Sequence, residues 1–324
     1  MEENNADERP DLSQFSQKVE QLRANMAQVL VGQQNTVDLM LVALLARGHV
    51  LLEGVPGVAK TLSAKVLARS LQLDFNRLQF TPDLMPSDVL GTSVYNMQEA
   101  RFVFKPGPVF SQVVLVDEIN RAPAKTQAAL FEVMEEGQVT IDGHTHQMRE
   151  PYLVLATQNP IEQEGTYRLP EAQLDRFFLK VRVDYPQLEE EVEILQRHAH
   201  WRGKPLAAVE AVLDEQSIRQ LQAQLPQIRV EKSLLHYIAA LVEATRHDPA
   251  LYLGASPRAS IALMQGGRAY AALQGRDYVT PDDVKYLAEP VLAHRVILSP
   301  EREIEGLSLG EVVAQLLTRI EVPR

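Results

Sequence analysis

Apolar residues Phe15, Val19, Leu22, Met26 and Leu30 recur every three or four positions, which predicts a helix over residues 12–30. Val31-Gly32-Gln33 interrupts the pattern, and a second helical stretch covers about 35–47. The period then changes. His49-Val50-Leu51-Leu52 is a short apolar run that reads as a strand, and helical spacing returns over Leu62–Leu71. Residues 76–81 read as another strand. Val113–Val116 and Tyr152–Ala156 are unbroken apolar runs, the signature of strands buried on both faces in a parallel sheet. An amphipathic helix spans Pro123–Glu136, with Gly137 as its stop. Two hairpins interrupt this alternation. One pairs 91–97 with 101–105, and the other pairs 139–142 with 145–148 around Gly143-His144.

A short helix over 169–177 leads to a strand over 178–183, and after Asp184-Tyr185-Pro186 the strand signals stop. Residues 187–324 read as helical segments, including 188–199, 212–225 and 233–246. Ser256-Pro257 and Thr280-Pro281-Asp282-Asp283 have the chemistry of helix starts. The chain therefore divides into a polar, acidic tail at 1–11 that reads as disordered, an α/β domain at 12–185 and a helical domain at 186–324.

Composition narrows the function classes. With 324 residues the chain can bury a sizeable core. No run of eighteen apolar residues exists, so no membrane span is expected. The acidic start lacks the features of a signal peptide. Cysteine is absent, which removes disulfides and thiolate chemistry. Together these features favour a cytoplasmic protein. A net charge of −11 argues against a general nucleic-acid binder, although a local basic patch is compatible with it.

Gly54-Val55-Pro56-Gly57-Val58-Ala59-Lys60-Thr61 joins a predicted strand to a predicted helix, the context a phosphate-binding loop requires. Its backbone N–H groups would converge on phosphate oxygens, Lys60 would reach the β- and γ-phosphates, and the Thr61 hydroxyl would ligate Mg²⁺. Ala59 departs from the general pattern, which has glycine there. Asp117-Glu118 closes a buried strand at the end where doubly wound sheets bind ligands. Asp117 suits Mg²⁺, and Glu118 suits a general base acting on water. Read alone, each stretch has a plain alternative: a strand–turn–helix corner for the loop, a capping pair for the two acids. Asn159, at the tip of the next strand, could bond a γ-phosphate or the attacking water, or serve as a turn residue before Pro160. Arg176 could pair with Asp175 or offer a cation to a neighbouring subunit's nucleotide. Arg258 is mounted on the first turn of a helix. The pairs His144/His146 and His198/His200 lack an identifiable third metal ligand, so a metal site is not expected. Trp201, Tyr237 and Tyr286 read as packing residues.

Taken together, Gly54–Thr61, Asp117-Glu-Ile-Asn-Arg-Ala122, Ala156-Thr-Gln-Asn-Pro160 and Leu169-Pro-Glu-Ala-Gln-Leu-Asp-Arg-Phe177 resemble the MoxR family of AAA+ ATPases. The resemblance covers nearly the whole chain after residue 11, and alanine at position 59 is usual in that family. It implies a three-layer αβα domain with a parallel sheet and inserted hairpins, followed by an all-α lid. It implies nucleotide contacts from Gly54, Val55, Pro56, Gly57, Val58, Ala59, Lys60, Thr61, Leu62 and Asp117, with Gly32 and Gln33 near the adenine. Asn159 matches sensor 1, Arg176 the arginine finger acting on the adjacent protomer, and Arg258 sensor 2, in cis or in trans. The hairpin at 91–105 matches the helix-2 insert and that at 138–148 the pre-sensor-1 hairpin.

The expected function is Mg²⁺-dependent ATP hydrolysis by a homo-oligomeric ring, because an arginine acting in trans demands neighbours and heterologous contacts close into rings; a hexamer is expected. The resemblance implies chaperone-like work on protein complexes, commonly with von Willebrand factor A domain partners. The alternative is a nucleotide-gated scaffold that turns over slowly. Absence of an Asn-Lys-x-Asp motif argues against a GTPase, and absence of His-Glu-x-x-His against a protease.

Overall fold

Short β-branched and leucine-rich runs assemble into one sheet. The computed structural model describes residues 12–160, 167, 169–200 and 205–323. The tail at 1–11 and Trp201 lie outside the described residues. Two compact units are present. One comprises residues 22–219; the other comprises the described residues before 22 and after 219. This division in compactness lies further along the chain than the loss of strand signals at 185.

In chain order the first unit contains the end of α1 (Ser13–Ala27), then α2 (Gln34–Leu45), β1 (Val50–Glu53), α3 (Lys60–Ser70), β2 (Phe75–Gln79) and α4 (Pro86–Leu90). Next come β3 (Gly91–Asn96), β4 (Arg101–Pro106), β5 (Val113–Asp117), α5 (Ala124–Glu136), β6 (Gln138–Ile141), β7 (His144–Gln147) and β8 (Leu153–Gln158). α6 (Glu171–Leu174), β9 (Leu179–Arg182), α7 (Leu188–His200) and the start of α8 (Glu215–Gln224) complete it. Five strands form a parallel sheet in the order β2-β5-β8-β1-β9. β5 is buried at every position, as its uninterrupted apolar sequence requires. Its Val114 and Val116 pack in one core with Leu51, Phe80, Leu130, Phe131, Val154 and Phe177, all at most 1% exposed. The Phe131 and Phe177 rings meet edge to face with centroids 5.8 Å apart.

Both hairpins form outside this sheet, β3 with β4 and β6 with β7. The second turns at Asp142-Gly143, both with positive φ (51° and 79°), whereas the sequence reading centred the turn on Gly143-His144. Two consecutive left-handed residues twist the turn to match its strands, and His144 consequently starts β7. The His146 ring stacks on Phe104 at a centroid separation of 4.2 Å, so its role here is packing between the hairpins.

The second unit is helical: α9 (Lys232–His247), α10 (Pro257–Leu273), α11 (Pro281–Leu292), α12 (Pro300–Ile304) and α13 (Leu309–Arg319). It also carries a ribbon of β10 (Leu251–Leu253) with β11 (Ile297–Leu298), strands too short to register in a hydrophobic period. The predicted helix starts are present. Pro257 opens α10, and Thr280 forms a capping box with Asp283 at the start of α11. Arg276 binds the same Asp283 through both terminal nitrogens, at 2.8 and 2.5 Å. Tyr237 is 3% exposed, and Tyr270 stacks on Tyr286 at 4.3 Å. Among the described residues no helix is long and apolar enough to cross a membrane.

Candidate nucleotide site

Because all five strands are parallel, their C-terminal ends share one edge, where ligands bind in sheets of this kind. β1 delivers the loop at residues 54–59, and α3 begins at Lys60. The loop bends through Gly57 at φ 91° and Ala59 at φ 61°. Nothing lies within 4 Å of where a Cβ on Gly57 would stand, so glycine is required by backbone conformation rather than by space. Ala59 adopts the left-handed conformation that usually selects glycine, at the position where the sequence departs from the general pattern. Val58 is buried and anchors the loop, while Pro56 and Gly57 are exposed. The Lys60 ammonium donates to the Gly54 carbonyl and thus lies back along the loop. Thr61 and Leu62, half-buried, follow on the first turn of α3.

β8 lies between β1 and β5, so the acid pair stands two strands from the loop. Asp117 is 7% exposed and Glu118 takes a left-handed backbone, φ 58° and ψ 52°. That turn directs the chain out of the sheet immediately after the two carboxylates. Thr157 holds both residues: its hydroxyl donates to Asp117 Oδ1 at 3.2 Å and accepts from the Glu118 N–H at 3.0 Å. Arg77 Nε lies 2.5 Å from Asp117 Oδ2. Gln79 donates to Glu118 Oε2 at 2.8 Å, and Arg121 Nε lies 3.0 Å from the same oxygen. Arg77 Nη2 also donates to Gln79 Oε1 at 3.2 Å, which ties the two β2 side chains together.

Asn159 is half-buried just beyond β8, between the loop strand and the acid strand. Gly54 N–H donates to the neighbouring Gln158 carbonyl at 3.3 Å. Arg176 follows α6. Its Nη1 donates to the Phe131 carbonyl at 2.9 Å and lies 2.6 Å from Glu135 Oε2, so its ion pair is with α5. Gly32 and Gln33 immediately precede α2. Arg258 stands on the first turn of α10, in the helical unit.

Sequence reading thus named the loop, both acids and Asn159, all at the C-terminal edge of the sheet. It did not single out Arg77 or Gln79, and it quoted Arg121 and Thr157 only as members of motifs. A signal existed for two of them: Arg77 and Gln79 are two apart on a strand and therefore share a face. Their partners became visible only with the pairing of β2 and β5, in which Gln79 is opposite Asp117.

Comparison with known proteins agrees with this geometry. The family profile described as the ATPase family associated with various cellular activities (AAA) matches residues 49–179, and that of the AAA lid domain matches 243–316. The chain is 49% identical to the uncharacterized protein YeaC of Bacillus subtilis, covering 91% of this chain and 92% of that one. It is 44% identical to Chaperone MoxR1 of Mycobacterium tuberculosis, over 91% and 80% of the two chains. A candidate ATPase of known structure from Cytophaga hutchinsonii superposes with a TM-score of 0.89 at 41% identity, over 97% of each chain.

Proposed function

Because this chain belongs to the MoxR family of AAA+ ATPases, we propose that it hydrolyses ATP with Mg²⁺ and couples turnover to remodelling of protein complexes. The observation that carries this reading is the phosphate-type loop at 54–61 on the same sheet edge as the Asp117–Glu118 pair. Lys60 would exchange the Gly54 carbonyl for phosphate oxygens. The residues present fit a hard cation. Asp117 is a mostly buried carboxylate that already attracts the Arg77 guanidinium, and the Thr61 hydroxyl is a second oxygen donor. Bound Mg²⁺ would neutralise charge on the β- and γ-phosphates. Glu118 would take the proton of the attacking water, with its backbone fixed by Thr157. Asn159 would orient that water or the γ-phosphate. Arg176 would leave Glu135 to supply a cation to a neighbouring subunit's ATP, and Arg258 would supply another in cis or in trans.

An arginine acting in trans requires a heterologous interface, which closes into a ring; we expect six copies. The partners expected for such a ring are proteins with von Willebrand factor A domains. The contacts of Arg77, Gln79 and Arg121 with the acid pair favour slow basal turnover, the property of a nucleotide-gated scaffold, until a partner releases them. The test is the Glu118→Gln protein. It should bind ATP and retain partners on an affinity matrix while releasing no phosphate. Turnover at the wild-type rate would remove Glu118 as base, and absence of Mg²⁺-dependent phosphate release by the wild type with partner would favour the scaffold.

A further inference from the structure

Helix α7 is mounted with a charged side inward. Glu190 and Arg197 are seven residues apart, so at about 3.6 residues per turn they share one side of the helix. Glu190 lies against Gly32, where an added Cβ would stand 2.5 Å from its Oε2. Arg197 donates through Nη1 to the Ala27 carbonyl and through Nη2 to Glu193. On the opposite side Leu188, Val192, Leu195 and Ala199 recur at spacings of four, three and four, the stripe that a surface helix normally buries. Here it is open: Leu188 is 73% exposed, Val192 45% and Leu195 65%. A single exposed leucine is ordinary. A continuous apolar stripe turned outward while charges face inward marks an interaction surface.

The borders of the stripe say what fits it. Glu191 and His198 stand along one border, Glu189 and Gln196 along the other. When two copies of this helix lie antiparallel, stripe against stripe, each border meets itself reversed. Glu191 then faces the partner's His198, and Glu189 the partner's Gln196, so each carboxylate meets an N–H donor. Leu188 meets the partner's Ala199, and Val192 the partner's Leu195. A parallel pair would instead set the acids side by side. The segment 1–11 does not fit, because it carries Glu2, Glu3, Asp7 and Glu8 and no leucine, isoleucine, valine or aromatic residue. We propose that α7 is a self-association surface, on which a second copy of this chain docks through its own α7, antiparallel about a two-fold axis. An isologous contact cannot continue round a ring, so this surface is separate from the heterologous interface that an arginine acting in trans requires. One helix pair is small beside the roughly 1,200 Å² of a stable interface. The contact is therefore weak between two copies and gains strength where assembled copies offer several pairs at once.

The test uses the absence of cysteine, which lets an introduced thiol report its own neighbours. Val192→Cys protein is treated with a short bismaleimide, and the linked peptides are mapped. The expected product is a covalent dimer joined through residue 192 of both copies, absent from Glu303→Cys, an exposed position on α12. Adding Leu195→Glu to the Val192→Cys chain should lower the yield about tenfold or more, because the two-fold axis introduces the charge twice. Adding Glu191→Lys should lower it roughly threefold, and His198→Glu on top of that, which reverses the pair, should restore it. Leu195, Glu191 and His198 are all exposed, and the Glu191→Lys series carries the test if Leu195→Glu does not fold. A yield no higher than that of Glu303→Cys, or one unmoved by these changes, overturns the proposal. So does linkage of residue 192 to a different surface of a neighbouring copy, which would give the stripe to a heterologous contact.

Discussion

Acidification should loosen the sheet through a single histidine. His49 precedes β1 and is 5% exposed. Its Nδ1 accepts from the Val154 N–H at 3.1 Å, so Nε2 carries the proton and donates to the Met134 carbonyl at 3.0 Å. The neutral ring thus joins β8 to α5, and both nitrogens are used. Burial lowers its pKa from 6.5 to about 4, opposed in part by the bond to Met134. The sign follows from which state binds the proton. Between these values the unfolded chain is protonated and the folded one is not, so stability is full above pH 6.5 and falls as the pH drops toward 4. Two and a half pKa units correspond to about 3 kcal/mol in all, and to about 2 kcal/mol between pH 8 and pH 5. The assay is urea unfolding at those two pH values, read by exchange labelling of β8 peptides so that the α/β unit is followed separately. His49→Phe leaves two backbone groups unpaired and should be less stable at pH 8 by roughly 2–4 kcal/mol. Its loss on going to pH 5 should nevertheless be smaller than the wild type's by about 2 kcal/mol. Equal losses in the two proteins would refute the argument.

Other consequences concern the site. Ala59→Gly removes a left-handed alanine, whose cost is about 1–2 kcal/mol, and adds back part of that in chain flexibility. The melting temperature of the α/β unit should rise slightly, and a fall would show that the loop is not strained there. Arg77→Gln removes the cation competing for Asp117, so the Mg²⁺ concentration that supports nucleotide binding should fall several-fold; an unchanged requirement would reject the competition. Thr157→Val deletes the bonds to Asp117 and Glu118 and should lower turnover about tenfold, measured as phosphate release with nucleotide affinity as the control. Mixed assemblies of Lys60→Ala and Arg176→Ala subunits should regain activity that neither has alone, and failure of verified mixed rings to do so would remove Arg176 from action in trans.

What the chain states by itself is everything carried by short spacing. The run Val113–Val116 specifies a buried strand, and residues 54–61 specify a strand-to-helix loop, because a few consecutive side chains decide each outcome. The positions of Lys60, Thr61, Asp117, Glu118 and Asn159 could be read in the same way, since each sits at a strand end or at a helix start recognisable from its own neighbours. Tertiary structure decided the rest. That β8 separates β1 from β5 depends on strand order, which no local pattern encodes. Arg77 and Gln79 reach the acid pair only through pairing across nearly forty residues. Arg176 has two acidic candidates in sequence terms, its neighbour Asp175 and the distant Glu135, and the packing of α6 near α5 brings it to Glu135. Glu190 reads as one of three glutamates at a helix start until the fold lays it over Gly32. Local chemistry is written in adjacent residues, whereas partners distant in sequence depend on the burial and register of the whole sheet.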